Sequence, residues 1–510
     1  MHAERELKFA ADRDTLRAAL TIPLQGQMTR SSLSQDLKTT YFDTDALDLM
    51  RQGLSLRVRQ SGGTCTLGVK KDVYAHAGYF ERDEEEAPLP STELNLDVLG
   101  RKTSSQLREI VGEKTLAPQF GSDVRRTLKT LRFHGADIEV ALDEGFVFAG
   151  KRREPTNEIE FELKAGAPSA LFEFGLAVAD ALPLTPAVLS KAERAASLLS
   201  SKPFEPVRST LPNLAPDTSA EEAIGVLLRN CLNHFLANMP VLHRGDSMEA
   251  IHQMHIAMRR LRSVLALVYR RSPTVELHAL RVESKRIANL FGQARDWDVF
   301  VESICNGPLR RFVDTSGLDN LIDAARSKAQ GARGAVRQLA SDGTLARFTL
   351  RLNLFVERWG YAPGTGRPDW TFEPVVDFAI KSLNRLHRGL LRRGIGFRSQ
   401  GPRERHALRV AVKRMRYAAE FFENLFHPHS AAERYIEKAQ ALQDLLGQRN
   451  DETIALKLIK GLDCGEDAQL ASAAEITAKW FANGSGRDKL ATREAWQSLH
   501  KAKPFWRDTA

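Results

Sequence analysis

The sequence predicts a multidomain protein: a β-rich N-terminal region with flanking helices, followed by an all-α region. Three observations predict it. The chain has 510 residues, too many for one ordinary hydrophobic core. Its first 165 residues carry short runs in which apolar and polar side chains alternate, the period of a strand. From residue 217 onward, apolar residues recur at helical spacing with no strand pattern, as in helix bundles. The composition, 43% hydrophobic and 27% charged, is globular.

The first run is Glu4-Arg5-Glu6-Leu7-Lys8-Phe9. As a strand it puts Glu4, Glu6 and Lys8 on one face and Leu7 and Phe9 on the other. Two carboxylates beside an ammonium suit a metal-bound polyphosphate: the acids hold a hard cation and the amine meets phosphate oxygens. An exposed strand with a mixed-charge face gives the same pattern. Further runs occupy 39–42, 54–59, 64–70, 128–133, 138–142 and 158–163, with turn signals such as Ser61-Gly62-Gly63 between them. Helical segments are expected near 14–20, 94–99 and 167–182. Residues 201–216 hold four prolines without periodicity and read as a linker. The expected division is therefore 1–200, linker 201–216, and a helical domain over 217–510.

Charge is unevenly spread. The net charge is +9, yet residues 1–200 carry 26 Lys+Arg against 30 Asp+Glu, leaving 47 against 34 for the remainder. A basic second half points to a polyanion, whether nucleic acid, an anionic membrane or polyphosphate, or else to a merely soluble basic surface. The cysteines, Cys65, Cys231, Cys305 and Cys464, form no C-x-x-C pair, so no zinc or redox signature is present. The start lacks an apolar leader core, and no stretch approaches the roughly 18 apolar residues of a membrane span. A cytoplasmic setting without a membrane partner is expected. Neither a Ser/His/Asp nor a Cys/His set is apparent, and no Gly-rich P-loop occurs.

Other runs repeat the theme of the first. Arg57 and Arg59 share a face opposite Leu56 and Val58. Glu158, Glu160 and Glu162 share a face opposite Ile159, Phe161 and Leu163. Arg82 and Glu84 lie two apart, Glu139 is placed to face neighbouring charges, and Asp143 and Lys70 end their strands. Two arrangements satisfy this pattern. One is a sheet with a single wet, charged face. The other is a closed barrel with a charged interior and apolar outer faces under helices, whose charges must pair with each other, a metal or a bound polyanion.

Seven motifs recur in order over the first 200 residues. They are Glu4-Arg5-Glu6-Leu7-Lys8 (E-x-E-x-K), Tyr41-Phe-Asp43-Thr44, Leu54-Ser-Leu-Arg57-Val-Arg59, the strand ending at Lys70, Ala141-Leu-Asp143, Glu158-Ile-Glu160 and Ser190-Lys191. The series resembles the CYTH, or triphosphate tunnel metalloenzyme, family. That resemblance implies an antiparallel eight-stranded β-barrel, a tunnel that binds inorganic triphosphate with Mg2+ or Mn2+. It implies catalytic roles for Glu4, Glu6 and Lys8. Glu4, Glu6, Glu158, Glu160 and Glu162 would face metal, together with Asp143, which matches a family acid. Lys8, Arg57, Arg59, Lys70, Arg82, Arg126 and Lys191 would face phosphate. Gly68-Val69-Lys70 stands where members often carry T-x-K, leaving Lys70 and Lys71 as alternatives, as are Arg125 and Arg126.

The helical half contains an internal repeat. Ile251-His252-Gln-Met-His255-Ile-Ala-Met-Arg259-Arg260-Leu-Arg262 answers Arg405-His406-Ala-Leu-Arg409-Val-Ala-Val-Lys413-Arg414-Met-Arg416, with 154 residues between matched positions. Downstream, Leu290-Phe-Gly292-Gln-Ala-Arg295-Asp296-Trp-Asp298 answers Leu445-Leu-Gly447-Gln-Arg-Asn450-Asp451-Glu-Thr453. Two related bundles are expected, about 217–360 and 370–500. His252, His255, Arg259 and Arg262 step along one helix face beside an apolar stripe, and His406, Arg409, Lys413 and Arg416 repeat it. Such a stripe is commonly a solvated face; its duplication suggests one basic surface. This half resembles the CHAD domain, which implies polyphosphate binding at His252, His255, Arg259, Arg260, Arg262, Arg295, His406, Arg409, Lys413, Arg414 and Arg416. His255 stands where the second copy has Arg409, so a pH-dependent contact is expected there. Asp296, Asp298 and Asp451 are expected to anchor basic side chains.

Together these resemblances imply an enzyme: metal-dependent hydrolysis of inorganic triphosphate to diphosphate and phosphate, with long-chain polyphosphate held by the helical half. The alternatives are a largely non-catalytic polyphosphate-binding protein and an organic triphosphatase or adenylate cyclase of the same family. Nucleic acid is disfavoured, since no helix-turn-helix or RRM signature occurs. Oligomeric state is left open.

Overall fold

A computed structural model describes residues 2–21, 27–76, 78–245, 247–311, 313–359, 368–483 and 489–507. Its first part contains β1 (His2–Ala10), β2 (Gln27–Asp43), β3 (Leu54–Ser61), β4 (Thr64–His76), β5 (Tyr79–Leu89), β6 (Ala117–Phe133), β7 (Ala136–Ala149), β8 (Arg152–Ala165) and the two-residue β9 (Thr185–Pro186). The strands pair antiparallel in the order β5-β4-β3-β2-β6-β7-β8-β1-β9. β1 also pairs with β5, with Glu4 opposite Arg82 and Glu6 opposite Phe80, and so closes an eight-stranded barrel. Of the two arrangements open to the sequence, the closed barrel with a charged interior is the one present.

The period-two pattern explains the layering. Leu7 and Phe9 of β1 and Ile159 and Phe161 of β8 turn outward and are buried under helices α1 (Arg13–Thr21) and α4 (Pro168–Ala181). Leu56 and Val58 of β3 and Leu67 and Val69 of β4 are buried on the side of α2 (Asp48–Arg51) and α3 (Arg101–Val111). A fifth helix, α5 (Lys191–Ser197), packs against β6 and β7. The β3–β4 hairpin turns at Gly62 and Gly63, whose φ values of 53° and 85° favour glycine. One expectation fails locally. Residues 94–99 form only a 3-10 turn over Leu96–Val98, and the true helix, α3, follows Gly100 where no Ser, Thr or Asp cap marks its start. The acidic run 83–86 lies within β5, where pairing with β4 throughout and with β1 as far as Glu84 overrides its poor strand propensity.

From Ala220 the chain is helical: α6 (Ala220–Ala237), α7 (Met239–Arg244), α8 (Ser247–Tyr269), α9 (Val275–Asn306), α10 (Thr315–Ser341), α11 (Thr344–Arg358), α12 (Val375–Arg393), α13 (Pro402–Phe422), α14 (His429–Lys460), α15 (Ala468–Asn483) and α16 (Lys489–His500). The structure divides into two compact units that do not follow the chain continuously. Met1–Glu205, Met239–Asp246 and Gln338–Trp359 form the first, so α7 and α11 pack with the barrel; the remainder forms the second.

Within the second unit, α8 pairs with α9 and α13 with α14, while α6 flanks α8 and α12 flanks α13. The repeated sequence therefore becomes a repeated helical hairpin. The apolar stripes Ile251, Met254, Met258, Leu261 and Leu265 and Leu408, Val412, Met415, Ala419 and Phe422 are all buried. Among the described residues, no helix is long and apolar enough to cross a membrane.

Candidate active site

The barrel encloses a cavity of about 450 Å3. Strand alternation aims its lining: Glu4, Glu6 and Lys8 come from β1, Arg57 and Arg59 from β3, Lys70 from β4, and Arg82, Glu84 and Glu86 from β5. Opposite, β6 gives Arg126, β7 gives Glu139 and Asp143, β8 gives Glu160, Glu162 and Lys164, and the first residue of α5 gives Lys191. A capping box fixes that helix start: the Ser190 hydroxyl accepts from the Glu193 amide at 3.2 Å, and the Glu193 carboxylate accepts from the Ser190 amide at 2.7 Å. The open choices resolve geometrically. Lys70 lines the cavity and Lys71 does not. Arg126 points in, whereas Arg125 pairs with Asp36 on the exposed outside.

The interior charges hold one another. Lys70 donates to Glu4 at 2.5 Å, Arg82 to Glu6 at 2.8 Å, and Lys8 lies 3.0 Å from Glu6 and 3.2 Å from Glu160. Arg126 meets Asp143 bidentately, both bonds 2.7 Å, and Glu160 at 2.6 Å. Lys191 reaches Asp143 at 2.7 Å and Glu160 at 2.8 Å. Arg57 bonds Glu84 at 2.6 Å and Glu86 at 2.9 Å. Gly68, directly across from Arg57, leaves room for that side chain: an added Cβ would sit 3.1 Å from Arg57 Nε.

Two features stand out from this pairing. Arg59 is held down at about 10 by burial and by the neighbouring Arg57 and Arg126, with Glu86 only at 3.7 Å. The buried Nε atoms of Arg57 and Arg59 have no hydrogen-bond partner among the described residues. On the acid side, burial pushes Glu162 up to about 7, against the pull of Lys164 at 2.6 Å and with the added repulsion of Glu4 and Glu139. Burial would raise Glu4 too, but Lys70, Lys8 and Arg57 outweigh it and bring it to about 2.

Glu158 departs from its expected place. It is buried midway along β8, opposite the last residue of β1, where Lys191 at 2.5 Å, Arg194 at 3.0 Å and Thr156 at 3.0 Å take its oxygens, and it does not line the cavity. Glu86 and Lys164, which the sequence reasoning did not name, line it, as does Glu84, noted there only as the neighbour two residues from Arg82. The signal was available, since they extend the Arg82 and Glu162 faces by the same step of two. Oxygen donors facing Lys164 and Lys70 are chemically suited to a hard divalent cation. Among the described residues, though, no three such side chains are gathered as a ready ligand set. A cation binding there would have to take the places these lysines hold.

The second unit gathers the basic stripes of its two hairpins. His255 lies within electrostatic reach of Arg259 and Lys413, and Arg409 within reach of Arg259, Asp296 and Asp451. Gly292 of α9 makes space for His255, whose Cε1 would lie 3.2 Å from an added Cβ. His255 is no pH-dependent contact: burial beside Arg259 and Lys413 pushes it down to about 3, so the imidazole is neutral. Lys413 is the sensitive group, pushed down to about 6 by burial and by Arg259 and Arg409. A cavity of about 360 Å3 continues from Arg259 and Lys413 past Arg262 and Arg414 to His278, Arg281 and Lys285 of α9. Those α9 residues were not anticipated, though their three- and four-residue steps place them on one face.

Three other expected positions fall elsewhere. Arg260 turns into the bundle, 7% exposed and 5.4 Å from the Phe421 ring, because one residue beyond Arg259 is about 100° around the helix. Arg416 is engaged by Glu420 and by Gln443 at 3.0 Å. His406 is exposed on α13. Arg295 lies near His252 and Asp451. Asp298 is buried with Arg333 at 3.3 Å, and burial with Asp451 raises Asp296 to about 6.

Residues 2–196 match the CYTH domain family and residues 226–460 the CHAD domain family. The chain is a CYTH–CHAD fusion. An inorganic triphosphatase of Haemophilus influenzae is 36% identical over 143 residues, which cover 27% of this chain and only 39% of that protein. An uncharacterized protein of Mycobacterium tuberculosis is 24% identical over 476 residues, 89% of this chain and 87% of its own length. The crystal structure of the CHAD domain from the plant Ricinus communis superposes with a TM-score of 0.51 at 27% identity, covering 60% of this chain and 98% of that domain. The CHAD helices thus share the plant domain's fold, and the CYTH barrel carries the charged lumen described above.

Proposed function

We propose that the CYTH tunnel hydrolyses inorganic triphosphate to diphosphate and phosphate with Mg2+ or Mn2+, and that the CHAD unit binds long-chain polyphosphate, in the cytoplasm. One observation carries the first part: the lumen sets an under-compensated arginine, Arg59, with Glu86 only at 3.7 Å, in the same enclosed space as crowded carboxylates, Glu139 and Glu162. A polyanion satisfies the first group and a divalent cation the second. Glu4, Glu6, Glu139, Glu160 and Glu162 would hold the cation. When bound, it neutralises phosphate charge and so assists departure of the leaving phosphate. Lys8, Arg57, Arg59, Lys70, Arg82, Arg126 and Lys191 bind and orient phosphoryl oxygens in a site whose donors are already in place. The relative from Haemophilus influenzae supports the choice of inorganic triphosphate. For the CHAD unit, support comes from the convergence of His252, His255, Arg259, Arg409 and Lys413, several with buried donor atoms lacking partners.

The test is phosphate release from triphosphate, ATP, thiamine triphosphate and long-chain polyphosphate, each with Mg2+ and with Mn2+. Triphosphate should be cleaved only with a divalent cation, and the Glu4→Gln/Glu6→Gln double variant should lose turnover by orders of magnitude while remaining folded. Wild-type turnover in that variant would remove the metal assignment. A second reading has its own support: each strongly paired acid is already neutralised within the protein, as in a barrel that holds polyphosphate without cleaving it. Binding without release of phosphate on any substrate in the panel would establish that reading.

A further inference from the structure

Leu7 lies between Glu6 and Lys8 on β1, and the pleat turns it outward as they turn in. Outside the barrel it is 1% exposed and shares one core with α4 and with Ala346 and Leu350 of α11, both fully buried. The contact passes over Gly175 of α4. A Cβ added there would sit 3.0 Å from Leu350 Cδ2 and 3.1 Å from Leu7 Cδ1. Glycine inside a helix costs stability relative to alanine, and here its bare face is where the two leucines approach. α11 is fastened near both ends: Arg347 donates to the Ala179 carbonyl at 3.0 Å, and Arg358 pairs with Glu173. Close-packed interiors transmit displacements of this kind.

We propose that α11, which in sequence lies inside the stretch matching the CHAD family, is a working part of the CYTH tunnel, and that Leu350 is a positioning residue acting through Leu7 on Glu6 and Lys8. Glu6 is held across to β5 by Arg82 at 2.8 Å, and Lys8 lies 3.2 Å from Glu160 of β8, cross-strand contacts that a small shift of β1 breaks. Arg57, Arg59 and Lys70 stand on other strands and keep their places. Truncating Leu350 therefore affects the chemical step more than substrate capture. The activity side of the claim rests on the triphosphatase reading; the effect on β1 does not.

The experiment uses the full chain with Leu350→Ala, Leu350→Val and Leu350→Met. Steady-state kinetics on triphosphate with a saturating divalent cation give kcat and KM separately, and hydrogen exchange of the β1 amides reports the strand itself. Leu350→Ala should lower kcat at least tenfold with KM changed less than threefold, and should speed β1 exchange at least tenfold. Leu350→Met, which retains most of the volume, should restore both to within threefold of wild type. If Leu350→Ala does not fold, Leu350→Val must show the same changes in smaller degree. A folded Ala or Val variant with wild-type kcat and wild-type β1 exchange overturns the proposal. So does equal loss in Ala and Met. If the wild-type chain cleaves no triphosphate, the functional reading falls, and β1 exchange alone decides the positioning claim.

Discussion

Glu162→Gln should stabilise the barrel at pH 8 while removing one of its cation-binding oxygens. Glu162 titrates at about 7 in the fold against an ordinary 4.5. Between those values the folded protein keeps a proton that the unfolded chain releases, so stability falls as pH rises from about 4.5 to about 7. At 1.36 kcal/mol per pH unit of displacement, the ionised carboxylate costs about 3 kcal/mol above pH 7. Glutamine has the same shape and cannot ionise. Its replacement also takes a partner from Lys164, whose half-exposed ammonium keeps Glu139 at 3.5 Å, a loss on the order of 1 kcal/mol or less. The expected net gain is about 2 kcal/mol at pH 8, shrinking toward zero near pH 4, where wild-type Glu162 is itself protonated. Urea titrations read by amide exchange on the barrel strands would measure it without interference from the helical unit. A variant no more stable than wild type at pH 8, or equally stabilised at pH 4, would refute the reasoning.

Further outcomes follow from the same structure. Arg126→Met leaves the fully buried Asp143 with Lys191 alone, and should destabilise the barrel by about 3 kcal/mol at neutral pH in denaturant titrations. Gly68→Ala forces the Arg57 guanidinium aside and should raise KM for triphosphate several-fold with little change in barrel stability, as steady-state kinetics would show. Lys413, titrating at about 6 beside Arg259 and Arg409, is mostly neutral at pH 7.5 and regains its proton when a polyanion neutralises its neighbours. Polyphosphate binding should therefore take up protons and tighten from pH 8 to pH 6, measurable by calorimetry in buffers of different ionisation heat, and Lys413→Met should flatten that dependence.

Alternation made much of the lumen legible: Glu4, Glu6 and Lys8, or Arg57 and Arg59, need only a strand to share a face. Register was not legible. Lys70 and Lys71 differ by one residue, and only the β3–β4 pairing turns the first inward. Glu158 shares a face with Glu160 on paper, yet Arg194 of α5 takes one of its oxygens, a contact between residues 36 apart. Arg260 entered through a motif, while the stripe spacing of 252, 255, 259 and 262 already left it out. α11 falls in the stretch read as helical, but nothing local in the sequence tells that its partner is Leu7, more than 300 residues earlier.

The duplicated hairpins carry one more consequence. His255 lies within electrostatic reach of Lys413 and Arg409 within reach of Arg259, so in each pair the second stripe position of one copy meets the third of the other. Such reciprocal contact is how two-fold related surfaces meet. A thread laid along this seam encounters nearly the same sequence of side chains from either end. Nucleic-acid strands have a 5′ and a 3′ sense, and reversing them presents a different face to each half. A linear phosphoanhydride chain reads identically in both directions, so under the proposed polyphosphate binding the seam would hold it whichever end arrives first.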